Sequence, residues 1–222
     1  MSTFAVILSG CGFLDGAEIH ESVTTLLAIE RSGSRWIAYA PDAAQADVVN
    51  HSKKQPSPGE SRNILHESAR IVRGRIEPTT ALDAAKVDGV ILPGGFGVAK
   101  NLCNFASAGA DATARPEIVQ FLRAMHSSRK PIGAICIAPA LVAIAFRGTD
   151  VHPKLTIGND AGTAAALESM GSKHAACEVS DCIVDETNRI VTTPAYMLAT
   201  CVSEAAPGIE ALVREVIRLA RK

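Results

Sequence analysis

A cysteine stands in the middle of an apolar run, "KPIGAICIAPALVAIAF" over residues 130–146, with an alanine two positions to either side and a proline three positions later. The residues before Cys136 read as a short buried strand and those after it as a helix, so the thiol falls at a strand-to-helix corner. Such a corner is how a nucleophile elbow presents its reactive atom, and the tight turn requires small flanking residues, here Ala134 and Ala138. Pro139 suits a first helical turn, where its missing N–H costs little. Exposed N–H groups and the helix dipole also favour a thiolate at this position. The competing reading is a buried cysteine acting as a small hydrophobe, and the run alone does not separate the two.

Two further motifs supply what a cysteine nucleophile needs. "PGGFG", residues 93–97, places glycines after an apolar strand, where bare backbone approaches an anion or carbonyl oxygen closely. The N–H groups of Gly95 and Ile137 are therefore a candidate oxyanion hole; an ordinary strand-ending turn is the alternative. "DGAEIHES" offers Glu18 and Glu21, three apart and so near one helical face. Beside a thiolate, a carboxyl group is driven toward its protonated form and donates a hydrogen bond or a proton. Solvated acids at a helix start are the alternative here.

These residues need a scaffold, and the pattern along the chain describes one. Short apolar runs at residues 4–8, 36–40 and 130–135, and a buried strand in "DGVILPGGFG" that ends in a glycine turn, alternate with helical stretches at 16–31, 60–72, 117–128 and 137–146. Residues 47–59 read as a loop because two prolines and a polar cluster interrupt any period. Beyond them come a strand at "KLTIG", a helix over 161–170, two strands joined by the turn at 185–188, and a closing helix over about 201–221. This alternation predicts an α/β fold: one domain over residues 1–222, a three-layer sandwich with a mostly parallel central sheet covered on both faces. In such sheets ligands bind beyond the carboxyl ends of the strands, where the cysteine and glycine motifs fall.

The composition excludes several function classes. Of the 222 residues 47% are hydrophobic, and 22 basic side chains balance 23 acidic ones, which speaks against a disordered chain and against nucleic acid or a membrane surface as partner. The apolar run at residues 4–8 is too short for a signal peptide, and 134–146 is well below the ~20 residues that span a bilayer. Cytoplasmic location is the expectation, with an organelle matrix also compatible. Six scattered cysteines suit reduced thiols rather than a disulfide scaffold. His174, Cys177 and Cys182 have the nearest approach to metal-ligand spacing but lack a paired motif, so no metal is expected. "SGCGFLDG" approaches a dinucleotide fingerprint, but Asp15 stands where the last glycine belongs and would repel a pyrophosphate, so no nucleotide cofactor is expected.

Taken together, "VILSGCGFLDGAEIHE", "YAPD", "ESRNILHESARI", "PGGFGVAKNL", "GAICIAPAL" and "VTTPAYMLA" resemble the ThiJ/PfpI superfamily, on the class I glutamine amidotransferase-like fold, and within it the ElbB-type glyoxalase-like proteins. The resemblance covers nearly the whole chain. It implies a cysteine-centred site without cofactor, often in a homodimer. Cys136 falls on the elbow cysteine, Gly94 and Gly95 on the oxyanion-side turn, and Glu21 on the acid that contacts the cysteine, with Glu18 as the fallback one turn away. His20 and Asn101 are secondary candidates, His20 for packing or polar support, and "SRN" at residues 61–63 and Lys100 also belong to the expected cleft.

The departures narrow the activity. Related proteases carry histidine directly after the elbow cysteine, where this chain has Ile137. Related glyoxalases carry a histidine after the next strand, where "KLTIGND" offers Ile157 and Gly158, with His152 before the strand instead. The implied function is a cofactor-independent, glyoxalase III-like lyase or hydratase acting on methylglyoxal or glyoxal. Two alternatives use the same cysteine: a redox-responsive regulatory or interaction protein, and an amidotransferase-like subunit dependent on a partner.

Overall fold

The first apolar run divides its side chains between two cores. Phe4, Val6 and Leu8 enter one cluster and Ala5 and Ile7 the other, because successive side chains on a strand point to opposite faces. Both faces of the sheet are therefore covered, which is why its central strands are continuously apolar rather than alternating.

The computed structural model describes all 222 residues. The chain runs through β1 (Thr3–Ile7), α1 (Ile19–Arg31), β2 (Arg35–Ala40), β3 (Val49–Asn50), β4 (Gln55–Pro56), α2 (Ile64–Ile71), β5 (Ile76–Pro78) and β6 (Gly89–Leu92). It continues through α3 (Phe105–Ala108), α4 (Pro116–Ser127), β7 (Ile132–Ile135), α5 (Ala138–Phe146), β8 (Lys154–Leu155), α6 (Ala161–Ser169), β9 (Lys173–His174), β10 (Ile183–Asp185), β11 (Ile190–Thr193) and α7 (Val202–Ala220). Seven strands form the central sheet in the order β10-β11-β7-β6-β1-β2-β5, and every pairing is parallel except β10 with β11. Leu26 and Ile29 of α1 and Ile209, Leu212 and Val216 of α7 fill one core; Ile118, Leu122 and Met125 of α4 join the other together with α5. This is the expected three-layer α/β arrangement.

Helix α5 explains the apolar run that follows the cysteine. All nine of its residues are buried, since it lies between β7, α4 and the turn of π-helix over Val98–Leu102.

Several expectations need correction. Helix α1 begins at Ile19 rather than at residue 16, because Glu18 is extended and caps the helix with its own side chain. Helix α2 likewise starts only after the Asn63 cap. The segment read as a loop over 47–59 holds the β3–β4 hairpin. Edge strand β5, just three residues ending in proline, lies below what periodicity reveals. The "KLTIG" strand shortens to two residues and pairs with β9 outside the central sheet. No helix is long and apolar enough to cross a membrane.

Candidate active site

Strands β11, β7, β6 and β1 are consecutive in the sheet, so the segments that follow them emerge side by side. The chain leaves β1 toward β2 and leaves β6 toward β7, on opposite sides. The boundary between β1 and β6 is thus a topological switch point, where α/β sheets leave a crevice. A cavity of about 780 Å³ opens there, and its lining includes Glu18 and His20 from the β1 side, Gly95 after β6, Cys136 and Ile137 after β7, and Tyr196 after β11.

Cys136 forms the elbow. Its φ is +61°, a conformation that costs a non-glycine residue energy and persists only where neighbours impose it. The restraint is visible: its N–H donates to the Thr193 carbonyl at 2.9 Å, tying the corner to the end of β11. The side chain is buried, 7% exposed. The backbone N–H groups of Gly95 and Ile137 lie close enough to its sulfur to favour the thiolate.

Glu21 lies against the same sulfur. It is fully buried, accepts from Gly94 N–H at 2.8 Å and from Tyr196 N–H at 3.3 Å, and lies close enough to the Cys136 side chain for each to shift the other's titration. Glu18, one turn earlier, turns elsewhere: its Oε2 accepts from the Glu21 N–H at 2.7 Å and caps α1. The two acids are thus resolved into a carboxyl on the cysteine and a cap facing the cavity.

The glycine pair is dictated by space. A Cβ on Gly94 would lie 2.5 Å from Cys136 Cβ, 2.7 Å from Glu21 Oε2 and 2.8 Å from the Ile135 carbonyl oxygen. Gly95 has φ +95°, and a Cβ there would meet Glu18 N and Gly16 O at 2.5 Å. Gly94→Ala is expected to cost roughly 1–3 kcal/mol by overpacking and to pry Glu21 from Cys136. Urea melts combined with the rate of thiol alkylation at Cys136 would measure both.

Burial sets the protonation of the pair. Desolvation, followed by the neighbouring Glu18 charge, pushes the Glu21 carboxyl up to about 8, against the pull of its hydrogen bonds to Gly94, Tyr196 and Cys136. Desolvation and then the Glu21 charge raise the Cys136 thiol well above its ordinary value, with the Gly95 and Ile137 N–H groups opposing them. The thiolate expected from the helix N-terminus alone is therefore overruled by burial. Because Glu21 holds its proton to higher pH in the folded state than unfolded, its contribution to stability is present below about 4.5 and is lost as pH rises toward about 8. Wild type is expected to lose up to about 1.4 kcal/mol per pH unit relative to Glu21→Gln across that window; denaturant melts at several pH values check it.

His20 occupies the cavity wall, with 53% of its side chain exposed and Nδ1 3.7 Å from Glu18 Oε1. The same nitrogen is 2.8 Å from the Tyr196 hydroxyl. Sequence reasoning quoted "VTTPAYMLA" yet missed Tyr196; a tyrosine three residues after the end of a parallel strand was the available signal. Phe13, Phe96, Phe105 and Met197, also in the wall, went unnoticed for the same reason.

Asn101 does not reach the cavity. Its Nδ2 donates to the Ser9 and Asp15 carbonyls at 2.8 Å and its Oδ1 accepts from Ala46 N–H, so it fastens the loop after β1. Lys100 bonds Asp47 and the Leu14 carbonyl, and Asn63 caps α2. Asp15, buried, accepts from Val49 N–H at 2.7 Å. His174, Cys177 and Cys182 form no metal-holding cluster.

The glutamine amidotransferase-like class 1 domain-containing protein 3, mitochondrial, of Homo sapiens is 45% identical over 227 residues, covering 98% of this chain and 83% of that protein. The chain belongs to this glutamine amidotransferase-like class 1 family. The rat ES1 protein homolog, mitochondrial, is 43% identical, with 98% of this chain and 84% of that protein covered. This family member also superposes on the crystal structure of an isoprenoid biosynthesis protein with amidotransferase-like domain from Ehrlichia chaffeensis, with TM-score 0.90, 35% identity, and 97% and 99% of the two chains covered. Drosophila melanogaster DJ-1beta shares the fold, with TM-score 0.54 and 18% identity over 100% of this chain and 97% of that one. The class I glutamine amidotransferase-like resemblance read from the sequence is thereby borne out, and DJ-1beta bears out the fold. No protein-family model matches the chain.

Proposed function

We propose that this chain is a cofactor-independent, glyoxalase-like enzyme that converts α-oxoaldehydes such as methylglyoxal or glyoxal to hydroxy acids. The observation that carries the reading is the placement of Cys136 and the buried Glu21 carboxyl around the bare Gly94–Gly95 turn at the edge of an open cavity, with the Gly95 and Ile137 N–H groups favouring negative charge there.

In this mechanism Glu21, once ionised, accepts the thiol proton as the sulfur attacks the aldehyde carbon. The S–C bond forms, the C=O π pair moves to oxygen, and the Gly95 and Ile137 N–H groups hold that oxygen until Glu21 returns the thiol proton to it, giving a hemithioacetal and a free carboxylate. Glu21 then takes the hydrogen on the attacked carbon as a proton and returns it to the adjacent carbonyl carbon, while the hemithioacetal hydroxyl proton passes to the adjacent oxygen and the first carbon becomes a thioester carbonyl. Oxidation of one carbon balances reduction of its neighbour, so no external oxidant or reductant is consumed. Water hydrolyses the resulting thioester, releasing the hydroxy acid and restoring the thiol. His20 and the Tyr196 hydroxyl form a polar pole that orients the dicarbonyl.

Cys201, exposed at the start of α7, is the thiol whose pKa falls, through hydrogen bonds from the Ser203 hydroxyl and the Glu204 N–H. All six cysteines are free, which suits a reducing compartment, and the names of two relatives place those proteins in mitochondria.

Incubating the protein with methylglyoxal is expected to yield lactate at a rate proportional to protein. Disappearance of methylglyoxal without lactate would mean trapping by side chains and would sink the proposal.

A further inference from the structure

We infer that the substrate of this site carries a neutral, apolar group about the size of an aromatic ring beside its α-oxoaldehyde. The inference rests on the dicarbonyl reading above and sharpens it.

The first ground is size. A cavity of about 780 Å³ falls in the roughly 300–1,000 Å³ range that encloses ligands of drug size. Methylglyoxal, with just a methyl beside its dicarbonyl, leaves most of that volume in contact with water, and the walls it fails to cover contribute nothing to its binding.

The second ground is the chemistry of the wall. Phe13, Phe96, Phe105, Ile137 and Met197 line it. Two of them adjoin the reacting groups in sequence: Phe96 follows Gly95 and Ile137 follows Cys136. An apolar substituent leaving the dicarbonyl thus meets apolar surface directly. Met197, flexible and polarisable, adapts well to a ring edge. Phe13 and Phe96 are 41% and 49% exposed, large apolar groups left open at the mouth. Phe96 is also held in place: its N–H donates to the Phe13 carbonyl at 2.7 Å, and the Lys100 ammonium lies 5.8 Å from its ring centre.

The third ground is charge. The lining has Glu18 and Asp160 but no lysine or arginine. Lys100, near the Phe96 ring, is already paired with Asp47 at 2.8 Å, and His20 Nδ1 faces Glu18 and the Tyr196 hydroxyl. A phosphate or carboxylate on the substrate would therefore meet like charge and no free cation, so the extra group is uncharged.

Phenylglyoxal is the probe, with mandelate as product and methylglyoxal to lactate as the reference. Rates are taken above the Cys136→Ala background, which removes arginine modification from the comparison. Burying a ring is expected to raise kcat/KM about 10- to 100-fold over methylglyoxal, and Phe96→Ala, a change at a half-exposed position, is expected to collapse that ratio several-fold. Equal or better use of methylglyoxal would overturn the inference while leaving the dicarbonyl reading intact. An unchanged ratio in both Phe96→Ala and Phe13→Ala would overturn the wall's role in selecting it. Absence of Cys136-dependent turnover on either aldehyde would overturn the dicarbonyl reading and this inference together.

Discussion

Replacing Cys136 with alanine is expected to lower lactate formation from methylglyoxal by at least about 1,000-fold, to the level of the uncatalysed reaction. The sulfur is the one atom that bonds to the aldehyde in this mechanism, and without it neither the hemithioacetal nor the thioester exists. The fold should survive the change. Alanine takes up the strained φ of +61° no worse than cysteine does, and the N–H bond to Thr193 that fixes the corner is a backbone interaction. Circular dichroism and a melting curve separate loss of chemistry from loss of structure. A variant that is folded and still forms lactate at the wild-type rate would remove Cys136 from the reaction.

Glu21→Gln is expected to lower kcat about 100- to 10,000-fold, the usual range for a positioned proton carrier. An amide of nearly the same shape keeps most of the packing but cannot accept and return a proton. The pH profile makes the test specific. With Glu21 near 8 and the thiol above it, the pair loses its first proton at about pH 8, and the singly ionised pair is the form that attacks. Wild-type kcat/KM should therefore climb about tenfold per pH unit on the acid side and level off above about pH 8. In Glu21→Gln the levelling-off near pH 8 should vanish and the rise should continue to higher pH, because the remaining ionisation belongs to the thiol alone. An unchanged profile would mean that Glu21 is a buried structural acid. The same substitution is expected to raise stability at pH 8 while lowering activity, the sign expected of a carboxyl retained for function against its burial cost.

The layered α/β fold and the elbow cysteine were legible in the sequence because both are recorded locally. Apolar runs bounded by glycine and proline mark strands, small residues around Cys136 mark a tight corner, and contiguous blocks such as "PGGFGVAKNL" carry family likeness. Element ends were read less well. The start of α1 depended on Glu18 capping with its own side chain, and the fate of β8 depended on a partner, β9, separated from it by helix α6.

What tertiary structure alone decided is which residues meet and in what state of charge. Glu21, Gly94, Cys136 and Tyr196 come from four segments brought together only by the order of strands in the sheet. Neighbours on a helix point in different directions, so Glu21 faces the sulfur while His20, beside it in sequence, reaches the cavity and finds Tyr196. The expected protonation held for the Glu21 carboxyl and failed for the Cys136 thiol. A helix N-terminus is visible in sequence and favours the thiolate, whereas desolvation comes from walls contributed by distant segments and is the larger influence on Cys136. Sequence by itself determined the cysteine at the strand-to-helix corner and the scaffold that carries it; the packed structure determined its neighbours, the direction of its pKa shift and the size of the space in front of it, because those are properties of neighbours in space rather than along the chain.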